Sequence, residues 1–401
     1  MKFNLFQKYF AVASKFLNTY IILIILGIDN LGLYAFALAS SNIFASITGL
    51  GLRAVFIREF LSKKEDIDKI QFVIFCEILL KISLIFFSIV TIFFVMYLDV
   101  DFWLSLSIIF LGVSETSSQM TSQKLRAIGL NTISQLCLNI RPVVISASFL
   151  SLYFISPVFL EVNFIDIVVV SYLIPTIFFY LFWLWKYKKL FSIEISYIIF
   201  KKNLVNFFPE LPGLLAFSFS NKATSRIDVI FISFFLGSTI TGMYRLITQL
   251  VMVANAAIYP IESHYKNKLA INLKNNDMKQ AKKIMTRASI ISTVIYINIL
   301  LIICSIFYLI PFEESLKYQE VFVATLIIAS FTGLVRSAVP MLNSYVIFKN
   351  QANKGGFILT ALVLISAIFH YWLVPIYGII ATSIIVLTTT LLWRLAAMKF
   401  I

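Results

Sequence analysis

The sequence predicts an all-α membrane protein whose chain crosses a bilayer about twelve times. Its 401 residues are 60% hydrophobic and only 13% charged, whereas soluble domains are about half apolar and about a quarter charged. Apolar stretches of about twenty residues recur along the chain, each long enough to cross about 30 Å of hydrocarbon as a helix. They lack the alternation of barrel strands, and helices satisfy their own backbone groups in lipid.

Charged residues, glycines and prolines divide the apolar stretches into separate predicted spans. Merging the last two spans across Val374-Pro375 is the alternative count. The predicted spans are 10–28, 33–52, 72–97, 102–121, 133–155, 164–185, 211–236, 239–259, 287–310, 321–347, 355–374 and 376–397.

The basic residues predict the orientation, because lysine and arginine are retained on the cytoplasmic side of a membrane. Almost all basic residues outside the spans fall in alternate loops, and the opposite set of loops holds only Lys317. Both termini are therefore expected in the cytoplasm, with the chain as a multi-pass protein of the cytoplasmic (inner) membrane. The segment from Pro260 to Arg287 is expected to be an amphipathic stretch at the membrane interface.

The distribution of charged residues between the loops also limits which classes of function the chain can have. The formal charge of +14 is spread over short loops rather than gathered in one patch, which argues against a nucleic-acid partner. The outer loops are short and acidic, and neither a catalytic cluster nor a metal-ligand spacing is visible. We expect no enzyme activity, no catalytic residues, no metal and no cofactor.

A short pattern recurs in the two halves of the chain. Leu26-Gly27 followed by Gly32 and Tyr34 returns as Leu236-Gly237 followed by Gly242 and Tyr244. Each copy joins the first span of a half to the second, as expected for a duplicated transporter fold. The predicted organisation is a six-helix bundle over 1–190, a cytoplasmic linker over 191–210 and a second six-helix bundle over 211–401.

Charged residues inside the predicted spans need a reason to be there. Six of them facing lipid would cost on the order of 15 to 21 kcal/mol on insertion scales, so they are expected to face protein or water. Apart from Asp166 at the start of the sixth span, only three acids, Glu77, Glu115 and Asp228, fall in the spans, which predicts a net cationic cavity for an anionic ligand. Apart from Lys15, Arg287 and Arg394 near the ends of spans, the cations inside the spans are Lys81, Arg141, Lys222, Arg226, Arg245 and Arg336.

The seventh span carries two of these cations on one predicted helical face. The face repeats at the spacing of a single helix side and consists of Ser218, Asn221, Lys222, Ser225 and Arg226. It predicts a wet lining, because two cations one turn apart repel unless an anion or water separates them. A polar seam between helices is the alternative.

Neutral polar stripes on two neighbouring spans suggest contacts to sugar. Glu115, Ser118, Gln119 and Ser122 share one face of the fourth span, and Asn131, Gln135 and Asn139 follow at the start of the fifth. Hydroxyl and amide groups bind sugars, but hydrogen bonds between helices explain the neutral residues equally well.

The other intramembrane cations have individual alternatives. Arg141 precedes Pro142 and Arg336 lies one turn before Pro340, so each is predicted to line a cavity at a broken helix or to bond a carbonyl or carboxylate. Lys81 lies one turn from Glu77, which could neutralise it. Arg245 lies near a span end, where a long side chain can reach water. His370, the one histidine within a span, is interpreted as structural.

The chain resembles the polysaccharide-repeat-unit and O-antigen flippases of the multidrug/oligosaccharidyl-lipid/polysaccharide (MOP) exporter superfamily. The resemblance covers essentially the whole chain. It is carried by both copies of the recurring pattern, by Gly49-Leu-Gly51-Leu-Arg53, and above all by Ser225-Arg226-Ile-Asp228.

The resemblance implies a MATE-like fold of two six-helix bundles that moves an undecaprenyl-pyrophosphate-linked oligosaccharide across the membrane by alternating access, for the biosynthesis of lipopolysaccharide O-antigen and related surface polysaccharides. The expected partners are this anionic lipid-linked oligosaccharide, membrane lipid and a polysaccharide polymerase, with H⁺ or Na⁺ left open as coupling ion. The cationic residues would hold the pyrophosphate and the polar stripes the sugar.

Two other functions remain open at this stage. A drug or cation antiporter of the same superfamily would share the fold, but a cationic substrate favours acidic side chains. A membrane polysaccharide polymerase or glycosyltransferase would need a sizeable outer loop or a catalytic acid cluster, and the sequence shows neither.

Overall fold

The computed structural model describes residues 2–53, 66–97, 102–155, 164–186, 211–256, 258–275, 277–309, 319–349 and 351–399, together with residues 56, 60, 205 and 209. Nearly all of the predicted linker over 191–210 and most of the acidic outer-loop residues lie outside these ranges. The described residues are helical, in the order α1 Lys2–Thr48, α2 Asp66–Tyr97, α3 Phe102–Ala127, α4 Asn131–Ile155, α5 Phe164–Lys186, α6 Leu211–Ala223, α7 Ile227–Ala256, α8 Ile258–Lys274, α9 Met278–Leu309, α10 Gln319–Ala338, α11 Leu342–Phe348 and α12 Ala352–Met398.

Eight of the described helices are long and apolar enough to cross a membrane, so the chain is a multi-pass membrane protein. The apolar parts of α1 and α12, Val12–Thr48 and Asn353–Met398, extend over about 55 Å and about 69 Å at the rise of an α-helix. A bilayer core is about 30 Å thick. Each of these two helices therefore supplies two of the predicted spans.

The junctions inside α1 and α12 are glycines with left-handed backbone angles. Gly27 has φ 81° and ψ 176°, and Gly378 has φ 64° and ψ −147°. Side chains rarely adopt these angles, so glycine is required there. The last two predicted spans thus join at Gly378 rather than at Val374-Pro375, and Pro375 lies within the helix.

The fourth predicted span, α3, is more polar than the eight apolar helices. Its serines and threonines are mostly buried, including Ser114, Thr116, Ser118 and Ser122. A helix surrounded by protein does not have to be apolar on every side. This location explains why a predicted span can carry so many hydroxyl groups.

The described helices form two compact units. The first contains Met1–Ile25 and Ala37–Lys222, and the second contains Leu26–Phe36 and Ala223–Ile401. The first unit therefore includes α6, which the sequence assigned to the C-terminal bundle. The second unit includes the short segment of α1 around the first copy of the glycine pattern.

The seventh predicted span is not one continuous helix. α6 ends at Ala223 and α7 begins at Ile227, with a turn closed by the Arg226 amide donating to the Ala223 carbonyl at 3.0 Å. Thr224 and Ser225 stand at the break, and hydroxyl side chains of this kind compete with helical hydrogen bonds. The prediction that Ser218, Asn221, Lys222, Ser225 and Arg226 share one helical face is therefore wrong.

The tenth predicted span is also broken, at Pro340. α10 ends at Ala338, and side chains from other helices bind the carbonyls that this end leaves free. Ser292 donates to the Ser337 carbonyl at 2.6 Å, Ser289 to the Ala338 carbonyl, and Arg394 to the Val339 carbonyl. These bonds satisfy backbone groups that lipid could not.

The amphipathic segment after α7 forms α8, and its apolar face packs on protein. Ile261 and Leu269 contact Ala281 and Met285 of α9 and Tyr345 of α11. The expected amphipathic helix is present, but neighbouring helices of the second unit cover its apolar side.

The two copies of the glycine pattern cross each other in a reciprocal way. Gly237 has φ 83° and ψ 178°, nearly the angles of Gly27. A Cβ at Gly32 would collide with the Ser238 backbone, and a Cβ at Gly242 would collide with the Ile28 backbone. Ser238 and Gly242 lie 210 positions after Ile28 and Gly32, so equivalent residues make equivalent contacts, as a duplicated fold requires.

This crossing predicts the effect of a single methyl group. We expect Gly32→Ala to destabilise the protein by about 3 kcal/mol, because the obstructing atoms are backbone and have little freedom to shift. The melting temperature in detergent measures the loss.

Ser238→Ala is the matched control, because it keeps the close backbone contact and removes only the hydroxyl that donates to Asp29 at 3.3 Å. Equal melting temperatures for the Gly32→Ala and wild-type proteins would contradict the close crossing.

Candidate functional site

The first unit holds a hydrogen-bonded network of charged side chains around Glu115. The Glu115 carboxylate accepts from Arg141 of α4 and from Gln119 one turn further along α3. The Gln119 amide oxygen accepts from Arg53 at 3.1 Å. Lys222 of α6 lies within electrostatic range of Glu115. Three cations therefore surround one carboxylate, and the network is net cationic.

Arg141 is the buried member of this network, with 3% of its side chain exposed. Its second terminal nitrogen donates to the Ser114 carbonyl at 2.7 Å and to the Thr176 hydroxyl at 3.3 Å. The centre of the Tyr172 ring lies 5.2 Å from the guanidinium carbon. Arg141 thus bonds a carboxylate and a carbonyl, which was the predicted alternative to lining a cavity. These bonds connect α3, α4 and α5.

Arg53 is a member of the site that the charge pattern alone missed, because it lies just beyond the second predicted span. The segment from Gly49 to Arg53 carries part of the family resemblance, and this was the feature of the sequence that could have indicated Arg53 as a site residue. Its side chain is exposed, whereas Lys222 is partly buried. Within the Glu115 network, Arg53 and Lys222 are the cations with exposed side-chain surface that a ligand could contact.

The first unit also contains a second charged cluster that the sequence did not predict. Glu77 forms an ion pair with Lys124, whose ammonium lies 4.5 Å from the centre of the Trp183 ring. Lys124 is buried although the sequence assigned it to a loop. Glu77 therefore pairs with Lys124 rather than with Lys81, one turn away, and Lys81 is exposed.

The neutral residues of α3 bond to other helices. The Thr116 hydroxyl lies 2.8 Å from that of Thr48, Ser118 lies 2.9 Å from Thr176, and Ser122 lies 2.9 Å from Ser134. These contacts are the hydrogen bonds between helices that the sequence analysis gave as the alternative to sugar binding for this polar stripe. Gln119 differs, because it connects Glu115 to Arg53.

The polar residues predicted on the seventh span are divided between the units. Ser218, Asn221 and Lys222 lie in α6 of the first unit, and Asn221 is exposed. Ser225 and Arg226 lie in the turn before α7, in the second unit, and both are partly buried.

The second unit has its own polar cluster around Asp228. One carboxylate oxygen accepts from the Tyr244 hydroxyl at 2.7 Å, and the other accepts from the Val229 amide at 2.9 Å. Arg226 and Arg245 interact electrostatically with the Tyr34 hydroxyl. Arg336 interacts in the same way with Tyr244. Three predicted cations thus lie within electrostatic range of two tyrosines, one of which donates to Asp228.

Burial is informative for two further residues of this unit, Arg245 and His370. Arg245 is only 6% exposed, so its side chain does not reach out to water as the alternative supposed. His370 is fully buried; its Nδ1 lies 2.7 Å from the Ser366 carbonyl and its ring stacks on Phe231. Within the described part of the chain, no group of three histidine, cysteine or acidic residues could hold a metal ion.

Comparisons with known proteins identify the fold. No family model and no curated protein matches the chain. The chain is similar to the MATE multidrug transporter DinF-BH, with a TM-score of 0.65 and 10% identity over 99% of this chain and 93% of that one. A MATE in complex with MaL6 gives a TM-score of 0.57 at 13% identity, covering 98% of this chain and 94% of that one.

A third structure is the outward-facing conformation of a multidrug resistance MATE family transporter of the MOP superfamily. It gives a TM-score of 0.56 at 12% identity, covering 99% of this chain and 95% of that one. The chain thus has the MATE-like, all-helical membrane-transporter fold, which confirms the predicted fold class. These neighbours are transporters and not enzymes.

The Glu115 network predicts a coupled effect on stability. We expect Arg141→Met to cost about 3 to 5 kcal/mol, because it leaves a largely buried carboxylate without its ion-pair partner. Adding Glu115→Gln should recover part of the loss. Melting temperatures of the two single variants and the double variant measure the coupling.

Lys81→Met removes an exposed cation and is the control, with a melting temperature expected to stay close to that of the intact protein. Additive losses in the double variant would mean that Arg141 and Glu115 do not stabilise each other.

Proposed function

We propose that the chain is a flippase that moves an undecaprenyl-pyrophosphate-linked oligosaccharide across the membrane by alternating access. The observation that carries the proposal is the excess of cations over carboxylates in the Glu115 network. In a low-dielectric environment such an excess attracts anions, and arginine suits phosphate oxygens in particular. The substrate crosses unchanged, and no covalent step is required.

The second unit supports the same substrate class. The Asp228 carboxylate already accepts hydrogen bonds from Tyr244 and from its own helix, which leaves less of its charge for a cationic ligand. Arg226, Arg245 and Arg336 outnumber it. Each unit is therefore expected to attract a negatively charged ligand, whichever of its cations contacts the pyrophosphate.

The remaining roles are assigned by chemistry. Asn221 and Ser218 of α6, with Gln119, offer amide and hydroxyl groups for sugar, while the polyprenyl tail stays in lipid. In the first unit, partly buried Lys222 and exposed Arg53 are the proposed ligands of an anionic group, and Arg141 positions Glu115. In the second unit, partly buried Arg226 has this proposed role, with Arg336 as a further contact. Exposed Lys81 is the least engaged of the proposed cations.

The setting follows from the charge distribution of the loops. We place the chain in the cytoplasmic membrane with both termini in the cytoplasm. Surface-polysaccharide biosynthesis then supplies the lipid-linked substrate on the cytoplasmic side and a polymerase on the other. The coupling ion, H⁺ or Na⁺, is left open.

Complementation tests the proposal. In a strain that lacks its polysaccharide flippase, the intact chain should restore surface polymer when the matching glycan pathway is supplied. Lys222→Gln and Arg226→Gln should each lower the translocation rate by about tenfold or more, since a hydrogen bond to a charged group contributes about 1.5 to 3 kcal/mol. Accumulated lipid-linked intermediate measures the block.

Lys354→Gln removes an exposed cation outside both clusters and should leave the rate unchanged. If Lys222→Gln and Arg226→Gln both insert normally and translocate the substrate as fast as the intact chain does, the proposed cationic site is wrong. If the inserted intact chain restores no polymer, the flippase function is wrong.

Drug export is the second candidate, favoured by the structural neighbours that are described as multidrug transporters. A chain of this function would protect cells from a cationic dye and would not restore polymer. Its activity would also survive neutralisation of Lys222 and Arg226, because removing positive charge does not weaken the binding of a cation.

A further inference from the structure

The first turns of α9 present a group of exposed cations. Lys279, Lys282, Lys283 and Arg287 all have exposed side chains. Lys279, Lys283 and Arg287 are spaced four residues apart and therefore lie along one face of the helix, while Lys282 lies beside them. We call these four residues the α9 basic patch.

The same helix face becomes apolar immediately after the patch. Ile290, Val294, Ile297 and Leu301 continue the line of Lys283 and Arg287 and are 60%, 52%, 42% and 61% exposed. Large apolar side chains with this exposure on a membrane-crossing helix face acyl chains. The change from cations to apolar residues within one turn marks the level of the lipid headgroups.

The opposite face of α9 is occupied by protein. Ala281, Met285 and Ala288 are buried in the cluster that α8 and α11 complete. The patch therefore points away from the core of the second unit. The Asp277 carboxylate accepts from the Gln280 amide at 3.0 Å, and no described carboxylate forms an ion pair with the patch.

We propose that the α9 basic patch binds the headgroups of anionic glycerophospholipids in the leaflet that it faces. The patch is adjacent along the helix to the apolar stripe that faces acyl chains. The headgroup of one lipid can therefore contact the patch while its acyl chains contact the stripe. Arg287 is nearest the apolar stripe, where its guanidinium can bond a phosphodiester with two nitrogens, and the lysines add attraction without a fixed geometry. A zwitterionic headgroup has no net charge for the patch to attract.

A photo-crosslinking experiment tests this proposal without any transport assay. The photoreactive residue p-benzoylphenylalanine replaces exposed Thr286, between Lys283 and Arg287. The full chain is reconstituted in vesicles of phosphatidylcholine with about 20% phosphatidylglycerol, and the crosslinked lipid is identified by mass spectrometry. We expect the ratio of phosphatidylglycerol to phosphatidylcholine in the crosslinked lipid to be about fivefold higher than in the vesicle, the factor for one cation near an anionic headgroup.

Replacing all four patch cations by glutamine should reduce the enrichment to the vesicle composition, and so should high salt. The matched control replaces Lys186, Lys349, Lys354 and Lys399, also exposed, and should retain the enrichment. Crosslinked lipid at the vesicle composition in the intact chain would overturn the proposal, as would equal losses in the two fourfold variants.

Discussion

The cost of an uncompensated charge in a membrane is the constraint on which this structure depends. Arg141 and Glu115 illustrate it, because neither would be tolerated alone among helices surrounded by lipid. Their ion pair, with the bonds from Arg141 to Ser114 and Thr176, joins three helices of the first unit through polar contacts. Hydroxyl pairs along α3 extend the same principle. Where lipid provides no partner, the helices provide partners for one another.

The arrangement of spans was predictable because hydropathy and length measure what lipid requires of a helix. The repeated glycine pattern was equally informative, since Gly27 and Gly237 adopt backbone angles that other residues avoid. The break between α6 and α7 was not predictable from spacing. Thr224 and Ser225 permit a helix as well as a turn, and their surroundings decide between the two.

The partners of the charges were the least predictable part of the site. A local rule pairs Glu77 with Lys81, one helical turn away, but the carboxylate instead meets Lys124 of another helix. Lys124 itself resembled a loop residue because it lies at the end of a span. Arg53 joined the site through Gln119 across helices distant in sequence. Such pairs depend on tertiary packing, which one sequence does not encode in its periodicity.

The fold leaves the substrate open, because transporters of one architecture carry different cargo. The choice of an anionic cargo therefore rests on the side chains. Three cations surround Glu115 in the first unit, and three lie within electrostatic range of Tyr34 and Tyr244 in the second. Glu115 and Asp228 already have hydrogen-bond partners. A site for cationic drugs would be expected to show the opposite balance.

Ligand binding to the purified chain tests the anionic cargo most directly. A short-chain polyprenyl-pyrophosphate sugar can be titrated against the same glycolipid without its phosphates, at low and at high salt. We expect the pyrophosphate lipid to bind more tightly, with an affinity that falls as salt rises and as Lys222 or Arg226 is neutralised. Equal affinity for the phosphate-free lipid, or stronger binding of a cationic dye, would contradict an anionic cargo.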